Sequence, residues 1–136
     1  MLSIEKKYHI YSAHRNLKAG EKCGRIHGHT YDLKIKLDFT ILDNSGITVL
    51  FSDIDAQIEP ILKDYDHYFI VYELDPLCDY LKSVGEKIRV VPFETSAENF
   101  SIWLYNRIKR ETDLPIAEIQ LAETKSSNII YNENGK

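Results

Sequence analysis

Residues 27 to 39 of this chain alternate with a period of two: His27, His29, Tyr31, Leu33, Ile35, Leu37 and Phe39 share one parity, and Gly28, Thr30, Asp32, Lys34, Lys36 and Asp38 share the other. Successive side chains of a strand point to opposite faces, so the pattern predicts a long strand with an apolar face turned toward a core. The two histidines continue that buried face at the strand's beginning, and imidazoles turned inward need partners. Their neighbourhood sharpens the point. Cys23-Gly24-Arg25-Ile26-His27-Gly28-His29 concentrates a thiol and two imidazoles in a chain that has only two cysteines and five histidines.

Upstream, Ile4, Tyr8, Ile10, Ser12 and His14 share one parity, which predicts a strand from about Ile4 to His14 with His14 on the inward side. Residues 15 to 26, with Gly20 and Gly24, are long enough to return the chain antiparallel and bring His14 to His27 and His29. Three neutral nitrogen donors suit Zn2+ with an open fourth position, the arrangement of a catalytic site. The alternative makes Cys23 the fourth ligand of a closed Cys-His-His-His site, which describes a non-catalytic, zinc-stabilised binding module. A Cys23 thiol beside the cation but not bound to it would have a lowered pKa and serve as base or nucleophile. His9 has the opposite parity and is read as a satisfied core histidine with no ligand role.

The remaining pattern is mixed. Ser52-Asp53-Ile54-Asp55 followed by Ile58, Ile61 and Leu62 predicts a helix over 52–64 that Pro60 kinks or shortens. Thr95-Ser96-Ala97-Glu98 reads as a capping box opening a second helix over 96–109, with Phe100, Trp103, Leu104 and Ile108 on one face and Leu114-Pro115 closing it. Ile88 to Phe93 and Ile116 to Glu123 read as strands, Ile47 to Leu50 carries a weaker strand signal, and Asp43-Asn44-Ser45-Gly46 reads as a turn. In the last strand Ala117, Ile119, Leu121 and Glu123 share a parity, so Glu123 sits as a carboxylate on an otherwise apolar face, paired or poised for a ligand. The fold class is therefore α+β, and residues 1–136 read as one domain.

Composition narrows the function. A formal charge of −4, with no Lys/Arg run longer than a pair, argues against nucleic acid as a partner. Lys6, Lys7, Arg15, Lys18, Lys22 and Arg25 nevertheless precede or sit inside the histidine motif, where they favour an anionic substrate or form a solvated face. No apolar run approaches the ~20 residues that span a bilayer, so no membrane partner is expected. Met1 to Lys7 lacks the apolar stretch of an export signal, which makes the cytoplasm the expected location and a free thiol the expected state of Cys23.

His14 after Ser12-Ala13, Cys23-x-x-x-His27-Gly28-His29, Asp66-His67, Thr95-Ser96-Ala97-Glu98-Asn99 and Glu123-Thr124, in this order, resemble the 6-pyruvoyltetrahydropterin synthase family over nearly the whole chain. The three-residue spacer after Cys23 resembles the branch that forms 6-carboxy-5,6,7,8-tetrahydropterin in queuosine and 7-deazaguanine biosynthesis. The resemblance implies a tunnelling fold: a four-stranded antiparallel sheet with two helices on one face, joined into an oligomeric barrel as a homo-oligomer, a trimer or hexamer. It implies a zinc-dependent lyase that converts 7,8-dihydroneopterin triphosphate to 6-carboxy-5,6,7,8-tetrahydropterin with release of acetaldehyde and triphosphate. A 6-pyruvoyltetrahydropterin synthase or related side-chain lyase or aldolase would use the same residues.

By the same resemblance His14, His27 and His29 hold Zn2+, and Cys23 is the proton-abstracting thiolate. Asp66 and His67 complete its relay, Glu123 accepts the amino-pyrimidine edge of the pterin, and Ser96 and Glu98 help to frame it. Glu98 is equally explained as a helix cap. Two positions depart from the family pattern: Leu50 stands where an acid precedes phenylalanine, and Thr95-Ser96 stands where Pro-Thr is usual.

Overall fold

The computed structural model describes residues 1–40 and 44–133, so the Asp43 end of the expected turn lies outside the described residues. Strand β1 (Leu2–His14) and strand β2 (His27–Phe39) form the antiparallel hairpin that the alternation predicts. Helix α1 (Gly20–Cys23) lies between them. Helix α2 (Phe51–Leu62), strand β3 (Phe69–Tyr72), helix α3 (Leu77–Ser83) and strand β4 (Ile88–Val91) follow. Helix α4 (Ala97–Glu111), strand β5 (Ile116–Ala122) and strand β6 (Ile129–Asn132) complete the chain.

The expectation of a four-stranded antiparallel sheet is corrected: the sheet has six strands in the order β4-β3-β1-β2-β5-β6 and is mixed. Strands β1, β2, β5 and β6 pair antiparallel, while β3 runs parallel to β1 and β4 parallel to β3. Four helices, not two, are described. Ile47 to Leu50 forms no strand; the segment leads into α2, with Leu50 as its N-cap.

One face of the sheet carries Ile10, Leu33, Ile35, Leu37, Ile119 and Leu121, all essentially inaccessible to water. Each contributes roughly 1.5–3 kcal/mol relative to an exposed side chain. The apolar stripes of α2 (Ile54, Ile58, Ile61, Leu62) and α4 (Phe100, Leu104, Ile108) pack into the same core. Pro60 falls in the final turn of α2, where its ring forgoes the N–H bond back to the Ala56 carbonyl, and the helix ends two residues later. At the start of α2, Leu50 is the N-cap and offers no side-chain oxygen, so the departure at Leu50 removes a cap. Among the described residues no helix is long and apolar enough to cross a membrane.

The parity of β5 needs a correction as well. A register shift between Lys36 and Leu37 pairs Leu37 with Ile116, so Ile116, not Ala117, joins the core. Beyond the bulge the expected parity holds, and Ile119 and Leu121 point inward toward Glu123's end of the strand.

Candidate active site

The β1–β2 register pairs His14 with His27 and Ser12 with His29, so three inward positions at one end of the hairpin bring their imidazoles together. His14 and His27 meet with ring centroids 4.6 Å apart, His14 and His29 at 5.0 Å, and His27 and His29 at 4.8 Å. One ring nitrogen from each lies within 4.8 Å of the others. From that spacing three imidazoles can close on one cation with bonds of ~2.0–2.1 Å.

The hydrogen bonds of these rings decide which nitrogen faces the cluster. His14 Nδ1 donates to the Thr95 carbonyl at 2.6 Å, and His27 Nδ1 donates to the Arg25 carbonyl at 2.7 Å. His29 is hydrogen-bonded to the Glu123 main chain. The Nε2 atoms of His14 and His29 are buried and have no hydrogen-bond partner. A buried lone pair without a donor is costly, and a cation satisfies it. Burial drives the His14 pKa down to about 4 against the opposing pull of the Thr95 carbonyl, so the ring is a neutral ligand at ordinary pH. Burial also lowers His29, opposed by the Glu123 charge.

Glu123 just follows β5 and brings a carboxylate to the same place, 3.8 Å from His14 Nε2 and 3.9 Å from His29 Nε2. Sequence placed Glu123 on the inward parity but gave no sign that it stands beside two of the imidazoles. With Glu98 it lines a cavity of about 140 Å³. Glu98 itself is exposed and does not close a capping box. Ser96 is the N-cap, accepting the Asn99 N–H at 3.2 Å, and the Asn99 side chain donates to the Glu94 carbonyl.

Cys23 ends the short helix α1, is exposed, and is not part of the imidazole cluster. The close approach that places it is made at Gly24, where an added Cβ would meet the Gly20 carbonyl oxygen at 2.7 Å. Asp66 and His67 form the expected pair: His67 Nδ1 lies 2.8 Å from one carboxylate oxygen, and the other oxygen accepts the Tyr11 N–H at 2.9 Å. Burial pushes the Asp66 carboxyl up, but the Tyr11 N–H and the His67 ring outweigh it and hold the group below the usual carboxylate range. His67 adopts φ 64°, a left-handed conformation that is uncommon for a residue with a Cβ. Its ring rests 5.6 Å from that of Tyr11, on the exposed face of β1, whereas His14 leaves the buried face. The dyad and the imidazole cluster are therefore separated by the sheet within one chain.

Half of the basic zone is engaged in ion pairs. Lys6 pairs with Asp55, Arg15 with Asp75 and Arg25 with Glu21. His9 is not a core residue; it is exposed and paired with Asp32 at 2.7 Å.

The family model described as 6-pyruvoyl tetrahydropterin synthase matches residues 3–134. A protein of Haemophilus influenzae named 6-carboxy-5,6,7,8-tetrahydropterin synthase is 29% identical, the match covering 98% of this chain and 100% of the relative. One of the same name from Aquifex aeolicus is 26% identical over 85% of this chain and 79% of the relative. Among solved structures, an uncharacterized protein from Wolinella succinogenes superposes with a TM-score of 0.85 at 17% identity, covering 98% of both chains. The 6-pyruvoyl tetrahydropterin synthase of Caenorhabditis elegans does so with a TM-score of 0.74 at 21% identity, over 96% of this chain and 94% of the other.

Proposed function

The chain belongs to the 6-pyruvoyl tetrahydropterin synthase family, and from that membership we propose that it is a zinc-dependent lyase of 7-deazaguanine biosynthesis. Its reaction converts 7,8-dihydroneopterin triphosphate to 6-carboxy-5,6,7,8-tetrahydropterin, releasing acetaldehyde and triphosphate. The observation that carries the metal part of the reading is the disposition of the imidazoles: hydrogen bonds to main chain hold their outer sides, and buried Nε2 lone pairs are left facing one another. Zn2+ held by His14, His27 and His29 would supply Lewis-acid polarisation of the substrate side-chain oxygens, acidifying the adjacent C–H.

The chain's own groups take the remaining roles. Cys23 abstracts the proton, and His67, oriented by the Asp66 carboxylate, passes it on. Glu123 accepts two parallel N–H donors from the amino-pyrimidine edge, in the cavity that Glu98 also lines. Ser96 frames the pterin indirectly by fixing the start of α4. Because the sheet separates Asp66 and His67 from the imidazoles of their own chain, the reading takes this dyad from an adjacent copy in a homo-oligomer, a trimer or hexamer. The names of the Haemophilus and Aquifex relatives favour the carboxy-forming branch over a pyruvoyl-forming or aldolase-like one.

Incubation of the zinc-loaded protein with 7,8-dihydroneopterin triphosphate, followed by mass spectrometry and an acetaldehyde assay, tests the assignment. The carboxypterin mass with acetaldehyde is expected. A pyruvoyl product without acetaldehyde would move the protein to the sister activity. No turnover, together with unfolding on zinc removal and thiolate coordination of substituted cobalt, would favour a zinc-stabilised binding module.

A further inference from the structure

Thr95 holds the His14-Arg15 segment at two points. Its carbonyl accepts the His14 Nδ1 hydrogen at 2.6 Å, and its hydroxyl donates to the carbonyl of Arg15, the next residue along, at 3.0 Å. Thr95 is 3% exposed and His14 is 1% exposed, so the bond between them is shut off from water, while the bond to Arg15 is part-buried. The hydroxyl is free to do this because Ser96, not Thr95, caps α4.

Arg15 is anchored in turn. Its guanidinium forks onto the Asp75 carboxylate, with Nε to Oδ2 at 2.8 Å and Nη2 to the other oxygen, and the same carboxylate accepts the Leu77 N–H at 2.8 Å at the start of α3. Asp75 is 3% exposed, and the guanidinium holds its carboxyl below the usual range. A fork of this kind fixes a plane and a direction as well as a charge. The path therefore runs from the opening of α3 through Asp75 and Arg15 to the Thr95 hydroxyl, and from the Thr95 carbonyl to the imidazole.

We propose that Thr95, backed by the Arg15–Asp75 pair, is a positioning residue that locks His14 in its Nδ1–H tautomer and aims Nε2 into the imidazole cluster. Metal affinity then depends on a hydroxyl that never touches the metal. The proposal rests on the reading of His14, His27 and His29 as metal ligands. Nothing in it requires Thr95 to meet substrate, because both of its bonds point at the segment that carries His14.

The test compares Thr95→Val, which keeps the volume and loses the hydroxyl, with Thr95→Ser, which keeps the hydroxyl, and with Asp75→Asn. Zinc affinity is measured by competition with a chromophoric chelator, the visible spectrum of the cobalt-loaded protein reports ligand geometry, and the melting temperature of the metal-free protein reports folding. Loss of an outer-shell partner typically costs 10–100-fold in metal affinity; Thr95→Val keeps the carbonyl that meets His14 and loses only the hydroxyl that steadies it, so it is expected to weaken zinc by up to about tenfold and to alter the cobalt bands. Thr95→Ser is expected to bind within a few-fold of the original, and Asp75→Asn to shift in the direction of Thr95→Val. Unchanged zinc affinity and cobalt bands in Thr95→Val, with only a lower melting temperature, would show a purely structural residue and overturn the proposal. Should Thr95→Val not fold, unchanged affinity in Asp75→Asn would overturn it equally. If instead the unmodified protein binds no zinc, or His14→Ala binds it undiminished, the ligand reading has failed before the positioning role is reached.

Discussion

Strand β1 presents chemistry on both of its faces, and the two are built by opposite means. On the buried face His14 joins His27 and His29, and the carbonyls of Thr95 and Arg25 hold the first two rings. On the exposed face His67 meets a carboxylate side chain, rests on the Tyr11 ring, and has 70% of its side chain open to solvent. Burial favours the neutral forms of His14 and His29, which suits ligands that must wait in place for a cation. The second set stands open to solvent, where a ligand or another chain can reach it. On the proposed function, a site for holding and a site for proton transfer are divided between faces.

Substitutions should separate the two faces cleanly. His29→Ala is expected to have the largest effect: bound zinc, measured by metal analysis, falls from about one per chain to a trace, and turnover disappears with it. His67→Ala is expected to lower turnover by ~10²–10⁴-fold while zinc content stays unchanged; parallel loss of zinc would erase the distinction between the faces. Mixed oligomers of His67→Ala and Cys23→Ala chains should recover part of the turnover, whereas failure to recover any would mean that one chain supplies both groups.

Stability responds to the same division. Metal-free protein keeps His14 neutral, its pKa held down to about 4 from 6.5 mainly by burial. Between those values the unfolded chain binds more protons than the folded one, so stability present above about pH 6.5 is lost as pH falls toward 4. The loss is on the order of 3 kcal/mol, read as a falling urea midpoint, and His14→Phe should flatten it. The smallest effect belongs to the exposed face. His67→Gly relieves the left-handed backbone at φ 64° and is expected to stabilise the fold by about 0.5 kcal/mol, read as a slightly higher urea midpoint, while turnover falls as in His67→Ala.

The elements that position the buried cluster were legible because long alternation leaves little choice. In β1 and β2 a one-residue slip would turn Ile10, Leu33 and Ile35 to solvent, so the parity of the histidines follows from the core. The four-residue strands β3 and β6 carry too few positions for a period to show, although Phe69-Ile70-Val71-Tyr72 has the β-branched and aromatic character that could have marked β3. The short helices α1 and α3 have no side-chain cap hydrogen bond of their own, and the bulge before Glu118 leaves no compositional trace. At the site, the approach of Glu123 to His14 and His29 and the turn of Thr95 toward Arg15 depend on contacts between distant segments. Thr95 reads as part of a capping box because a hydroxyl before a helix usually caps it; here a neighbouring serine does so and releases the threonine.

The main-chain partners of the three imidazoles lie in separate loops: Arg25 before β2, Thr95 before α4 and Glu123 after β5. A cation drawing on the rings would therefore place three loops under a common tether, one of them joined to β1 across 81 positions of sequence. Chelation should release all three together, quickening amide hydrogen exchange around residues 25, 95 and 123 while the central strands continue to exchange slowly. The metal would then set the tempo of the rim of the molecule as well as its chemistry, and occupancy could be followed in loops that carry none of the ligands.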